Sequence, residues 1–369
     1  MRTLKIKDLT LDALEELEHD FHENGEKSDY GYYMQLIILY ETMYKKLTNL
    51  ARNNGPYYDA SLQQTKKLLI SYLIKYGTYL KMNHFRDDGD AVESLLKAIR
   101  VEQKLPIAYY LLGCLAYKHG KYGSAVRYFQ QALSKQLLDD PSYSLNQQQE
   151  FHAHMYLANS GLHVAGEAYE TLGKLPYPDQ LPNAELSPLF EALSANESYL
   201  HNHAYYKVTK NKTETCSKEA CEDFYENSEA GELVLYFNDR ENILLFNGED
   251  AIITPTQANM IRHFMLSSSK ENPCTRITMR DFFGRTGSDG EVKKSTFTKS
   301  IERLRGKLRL FDMPEMIDVT EHRGETAYYF NGIHPYTVLF RVDDAFANEY
   351  VNSKCMNEEP NERLFKTAH

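Results

Sequence analysis

The sequence predicts a mainly α chain that closes with a smaller α+β domain. Three observations carry that expectation. From Leu4 to Ala204 apolar residues recur at helical spacing, and no short buried strands alternate with them. Within that stretch a set of small and large residues returns at a fixed interval. Beyond Glu229, β-type segments enclose a cationic helix from Ser295 to Leu310, whose Phe297, Ile301, Leu304 and Leu308 fall at spacings of four, three and four. The expected boundaries are a helical repeat domain over 1–204, a linker over 205–229, a second domain over 230–334 and a polar C-terminal tail over 335–369.

In the N-terminal part, Tyr32 to Leu50 is a long apolar-periodic segment stopped by Asn53-Asn54-Gly55-Pro56. Ser61 to Met82 is a second such segment. Tyr109, Leu112, Gly113, Ala125, Phe129 and Ala132 then combine an aromatic, a Leu-Gly pair and small residues that let two helices approach closely. Thirty-four residues earlier stand Ala91, Leu95 and Ala98, the equivalents of Ala125, Phe129 and Ala132. A weaker third unit, with a shorter turn, is expected through Leu157, Ala158, Ala168, Leu172 and Leu175.

These residues resemble the tetratricopeptide repeat, which implies an α-solenoid whose concave face takes a peptide or protein partner. Tyr76, Tyr79, Tyr109 and Tyr110 are candidates to line that groove, although Tyr at helical spacing also fills cores. The repeats could instead serve only as a packing or dimerisation scaffold.

Four prolines between Pro176 and Pro188 interrupt the helical pattern, and the polar stretch Asn211 to Glu229 is where the domains are expected to join. His201, His203, Cys216 and Cys221 invite a zinc reading. However, an HxH pair converges only on a strand, and four residues between the cysteines is a loose spacing, so no metal is expected. His152 and His154 fall in a helix, as surface or groove residues. No GxGxxG, P-loop, HExxH or GxSxG is present, so neither catalysis nor a cofactor has support.

Lys and Arg number 42 against 52 Asp and Glu, a net charge of −10, so a protein that coats nucleic acid through its overall charge is excluded. Any such contact must come from a local patch. The five cysteines contain no CxxC pair and read as cytosolic thiols. Met1 to Asp12 lacks the apolar core of a signal peptide, and no run of about 18 apolar residues suggests a membrane span, so a cytoplasmic location is expected.

In the C-terminal part, Glu232 to Phe237 and Asn242 to Phe246 read as strands, and Asn247-Gly248 turns the chain into Ala251-Ile252-Ile253. Thr254-Pro255 starts a helix with Ala258, Ile261, Phe264 and Met265 on its buried side. Ile277 to Phe283 reads as a second short helix with Thr278 as its cap, followed by a Gly-rich loop from Gly284 to Lys294. The cationic helix comes next, and Ile317-Asp318-Val319 and Ala327 to Phe330 form a hairpin around Arg323-Gly324.

Three segments together resemble the effector domain of the OmpR/PhoB family of transcriptional regulators. Ile253-Thr254-Pro255-Thr256-Gln257 stands where that family has Leu-Thr-x-x-Glu. Phe297 to Leu308 stands where it has Val-Asp-x-His-Ile-x-x-Leu-Arg-x-Lys-Leu, with Thr298 and Ser300 in place of the Asp and His. Ile317 to Gly324, before Tyr328, replaces its strand and Arg-Gly wing. The resemblance covers Glu232 to Phe330 and implies a winged helix-turn-helix fold and binding to double-stranded DNA.

By that resemblance, Lys299 and Arg303 take base-reading positions, and Ser295, Thr296, Ser300 and Arg305 take positions that meet phosphates. Lys293 and Lys294 join them at the helix start, and Arg323 reaches the minor groove or backbone from the wing. From Arg276 to Arg309 ten Lys or Arg face four Asp or Glu, so this segment is cationic inside an acidic chain. The expected function is a non-enzymatic, cytoplasmic transcription regulator. Its repeat domain senses a peptide, protein or small ligand and, as a homodimer or otherwise, controls the DNA-binding domain. The alternative is an interaction adaptor whose winged helix no longer binds DNA.

Overall fold

A computed structural model describes residues 6–24, 30–82, 88–136, 143–174, 188–238, 241–283, 292, 294–345, 347 and 350–351. It is mostly helical with a C-terminal β-sheet region. The helices that precede the sheet are α1 (Leu11–Asn24), α2 (Tyr30–Asn54), α3 (Asp59–Met82), α4 (Asp88–Val101), α5 (Pro106–Lys118), α6 (Tyr122–Lys135), α7 (Gln147–Gly173) and α8 (Pro188–Asn202). Each packs on the next along the chain, and α3 also touches α5, which touches α7. That alternation builds a stack of helical hairpins.

The stack closes tightly because glycine permits it. A Cβ on Gly113 of α5 would sit 2.7 Å from the Phe129 ring of α6, and one on Gly77 of α3 would sit 2.8 Å from Leu95 of α4. The two hairpins therefore repeat one contact, a helix backbone against a large apolar side chain. Ala91, Leu95 and Ala98, like Ala125, Phe129 and Ala132, are fully buried, as their interval predicts.

The expected third unit is different. Leu157, Ala158, Ala168 and Leu172 all lie within the single long helix α7, so no turn divides them, and Leu175 lies outside the described residues. A helix of that length extends past the hairpin before it, which leaves Ala158 and Ala168 exposed.

The second region holds β1 (Tyr205–Thr209), β2 (Thr213–Cys216), α9 (Lys218–Glu226), β3 (Leu233–Phe237), β4 (Asn242–Phe246), β5 (Glu249–Ile253), α10 (Pro255–Ser267), α11 (Lys294–Leu310), β6 (Ile317–His322), β7 (Glu325–Phe330) and β8 (Tyr336–Arg341). The main sheet runs β2-β1-β8-β3-β4-β5, with β3 and β8 parallel and the other neighbours antiparallel. β6 and β7 pair separately.

Strand pleating sends alternate residues to opposite faces. Tyr206, Val208, Leu235, Val338 and Phe340 join the core beneath α10 and α11, whereas Tyr205, Val234, Tyr236 and Leu339 form a second core with Cys221 of α9. Coverage on both faces explains why β3 reads as an unbroken apolar run and why β8 is buried from Tyr336 to Phe340.

Three expectations are corrected here. Residues 205–229, expected as a linker, form β1, β2 and α9. The expected polar tail begins with β8, an interior strand of the main sheet. Ile277 to Phe283 is a turn followed by one short 3-10 segment, Arg280–Phe282, rather than an α-helix. Thr278 and Thr275 there exchange side-chain hydrogen bonds with each other's backbone N–H (2.9 and 3.3 Å), so the capping position is Thr275 and not Thr278, and the turn it starts does not continue as an α-helix.

Candidate nucleic-acid interface

The start of α10 is fixed by a capping box. The Thr254 hydroxyl accepts from Gln257 N at 3.3 Å, and Gln257 Oε1 accepts from Thr254 N at 3.2 Å, with Pro255 at the first helical position. The same Gln257 Oε1 accepts from Lys307 Nζ at 3.0 Å, which ties the end of α11 to the beginning of α10.

α11 buries Phe297, Ile301, Leu304 and Leu308, the stripe its spacing predicts. The Phe297 ring meets Phe283 and Tyr328 edge-on, at 5.8 and 5.6 Å between centroids. Cys274 pairs its backbone with Tyr328, so β7 is anchored to the segment ahead of α11. Arg276 reinforces this by donating to both carboxylate oxygens of Glu325 and to the Val292 carbonyl at 3.3 Å. The cationic helix is thus fixed along its inner face, at its entry and at its exit.

That packing sorts the predicted contact residues. Lys294, Ser295, Lys299 and Arg303 are exposed, with Lys299 and Arg303 one helical turn apart on the outer face. Ser300 is half-buried. Arg323 is exposed at the tip of the β6–β7 hairpin, where Arg323 and Gly324 both take positive φ (52° and 77°), a type I′ turn that suits the twist of the strands.

Two candidates are placed differently from expectation. Thr296 is only 6% exposed, and its hydroxyl finds no hydrogen-bond partner among the described residues, so it faces the core and not a ligand. Arg305 is drawn to Glu302 at 2.9 Å and is largely covered. Lys293 lies outside the described residues.

The groove candidates divide as well. Tyr76 and Tyr110 are 4% and 0% exposed and belong to the stack's core, so they line no groove. Burial also raises the Tyr110 phenol well above its usual range. Tyr79 and Tyr109 are half-buried, Tyr79 beside the Tyr33 ring and Tyr109 beneath the Lys135 ammonium.

A cluster that sequence reading missed lies further along. Tyr122 stacks on His163 at 3.9 Å, and Tyr117 donates to Glu197 at 3.0 Å. It joins α5, α6, α7 and α8, and no single period connects residues so far apart in the chain.

The helical stack meets the sheet region through Asp343 and Asp344, just past β8. Asp343 pairs with Lys81 of α3 and with Arg341. Burial alone would raise the Asp343 carboxyl, but Arg341 and Lys81 hold it far below the usual carboxylate range. Asp344 accepts from Arg262 of α10 at 2.7 Å, a guanidinium only 1% exposed and ringed by Phe237, Phe340 and Tyr350. Gln149 of α7 donates to the Val342 and Asp344 carbonyls at 2.8 and 2.9 Å. Nearby, burial lowers the His152 imidazole to about 4. Two consecutive carboxylates therefore grip α3 on one side and the first helix behind the cationic surface on the other.

Among the described residues no three His, Cys, Asp or Glu side chains converge in ligating reach, and no helix is long and apolar enough to cross a membrane. No protein-family profile, curated protein or solved structure matches the chain.

Proposed function

We propose that the chain is a DNA-binding transcription regulator. In this reading a winged helix-turn-helix spans β3 to β7, α11 is its recognition helix and the β6–β7 hairpin its wing. The preceding helices act as a tetratricopeptide-like solenoid that takes a peptide, protein or small ligand. The observation that carries the reading is the outer face of α11, where Lys299 and Arg303 stand exposed one turn apart on a helix braced by α10 and the hairpin. Spacing of that kind suits Arg or Lys contacts to guanine edges in a major groove.

Asp343 and Asp344 suggest how the two halves communicate. A partner that displaces α3 or α7 disturbs the Lys81 and Gln149 contacts, and through Asp344 the seat of Arg262 in α10. The adaptor alternative draws on Glu302, which engages Arg305 and places an anion on the same surface.

The deciding experiment is capture of genomic DNA fragments by the intact protein, followed by titration of an enriched fragment at several salt concentrations. Retention should fall steeply with salt. The double variant Lys299→Ala, Arg303→Ala should lose selective binding by at least about thirtyfold, at about 1–3 kcal/mol per base contact, with unchanged circular dichroism. Absence of salt-dependent retention by the wild type would leave the adaptor reading in its place.

A further inference from the structure

The corner between β2 and α9 holds two thiols that DNA binding leaves unused. Cys216 ends β2, Ser217 caps α9 by accepting from Ala220 N at 3.2 Å, and Cys221 lies in the first turn of that helix. The cap folds the chain back so that the two Sγ atoms stand 3.2 Å apart, both as free thiols. A disulfide, at about 2.05 Å, needs them to close by only about an ångström.

The two sulfurs differ in access and in charge. β2 is the outermost strand, and Cys216 is half-buried there, open to a small reagent. Cys221 is buried beneath the sheet. The contact between the sulfurs, in which Cys221 donates once Cys216 is a thiolate, holds Cys216 below the ordinary thiol range. Lys207 on the neighbouring strand adds to this against burial and Glu214, and the same contact between the sulfurs raises Cys221. Cys114 and Cys274 are buried, and burial pushes each up to about 12. A metal is the weaker occupant, since His203 bonds Thr215 at 2.6 Å and His201 pairs with Glu219 at 3.2 Å.

We infer that Cys216 and Cys221 form a hydroperoxide-oxidisable disulfide site, with Cys216 as the attacking sulfur and Cys221 as the resolving one. In the first step Cys216 Sγ, having released its proton, attacks the terminal oxygen of a hydroperoxide. An S–O bond forms as the O–O bond breaks, and the leaving oxygen takes up a proton to become an alcohol or water. In the second step Cys221 Sγ attacks the Cys216 sulfenic sulfur. The S–S bond forms, the S–O bond breaks, and the hydroxyl leaves as water with the Cys221 proton. Two thiols together lose two electrons and two hydrogens, and the hydroperoxide gains them. The site is independent of the DNA-binding reading, and its test uses no DNA.

The test treats the intact, reduced protein with about one equivalent of hydrogen peroxide, then digests it with trypsin without reductant. Lys218 lies between the two cysteines, so the digest should contain a linked pair of peptides, lighter than their sum by two hydrogens and separated again by dithiothreitol. Cys114 and Cys274 should stay alkylatable only after unfolding. Cys216→Ser, at the more accessible position, should abolish the linked pair and slow thiol loss by about tenfold, on a Cys355→Ser background that removes the thiol outside the described residues. Sulfinic acid at Cys216 with Cys221 still alkylatable, or oxidation of Cys216 no faster than that of Cys114 and Cys274, overturns the inference.

Discussion

The helical stack and the sheet each have a hydrophobic core of their own, but the residues that build it come from different distances along the chain. In the stack, each helix from α1 to α8 packs on its neighbours in sequence. In the sheet, β8 lies between β1 and β3, whose residues precede it by about a hundred positions or more. A stack of neighbours can assemble and loosen piece by piece, whereas a sheet with its interior strand supplied last must close as a unit. The contrast places cooperativity in the half that carries the cationic surface. It also makes Asp343 and Asp344, which follow β8, the natural reporters of whether that half is closed.

The strongest way to break the comparison is to remove the interior strand. Val338→Asp buries an unpaired carboxylate at a fully covered position and should cost more than about 4 kcal/mol. Hydrogen exchange should show β1, β3, β8 and α10 losing protection together while α3 to α6 keep theirs. Loss of protection in both halves with one midpoint would mean that the stack has no stability of its own, and the contrast would fail.

The same contrast explains what was legible in the sequence. The helices α2 and α3, the repeated Ala, Leu or Phe, and Ala positions, the Thr254 capping box and the buried stripe of α11 are local patterns, and each is found where its spacing predicts. β8 escapes sequence reading because its partners are remote, whereas β1 and β2 form a local hairpin whose polar turn and second strand read as a linker. Tyr336 to Arg341 carries a strand-like run, yet nothing local says that it inserts between β1 and β3.

The candidate site divides on similar grounds. The helical period sufficed to expose Lys299 and Arg303, but Thr296 lies at the border of the buried stripe, and the Glu302 pair claims Arg305. For Tyr76 and Tyr110, periodicity identifies a face without saying that another helix covers it. The Asp343-Asp344 joint has no sequence signal, because its partners come from α3, α7 and α10.

At that joint His152 offers a gentler probe. Burial holds its folded imidazole at about 4, against an ordinary value of 6.5. Between those values the unfolded chain binds a proton that the folded chain refuses, so stability falls as pH drops from about 6.5 towards 4. Asp343 opposes the shift by favouring the protonated ring. The total loss should be about 2–3 kcal/mol, and His152→Gln, which cannot take up that proton, should remove it. Urea titrations across this range would show a flatter dependence in the variant; parallel curves would mean that other groups govern acid sensitivity at the joint.

The smallest effect distinguishes the halves by sign. Gly113→Ala gains about 1 kcal/mol of helix propensity, but its methyl meets the Phe129 ring at 2.7 Å, and overpacking of that kind costs about 1–3 kcal/mol. The net should be a destabilisation of about 1 kcal/mol, partly relieved when Phe129→Leu is added, since the two sites share one contact. Gly306→Ala in α11 gains the same propensity with nothing within 4 Å of the new methyl, so it should stabilise by up to about 1 kcal/mol. One substitution made in two helices should therefore shift the thermal midpoint in opposite directions. Matching shifts would show that the close approach of α5 to α6 relaxes without cost, and that the stack is not held by the glycine contact its two hairpins share.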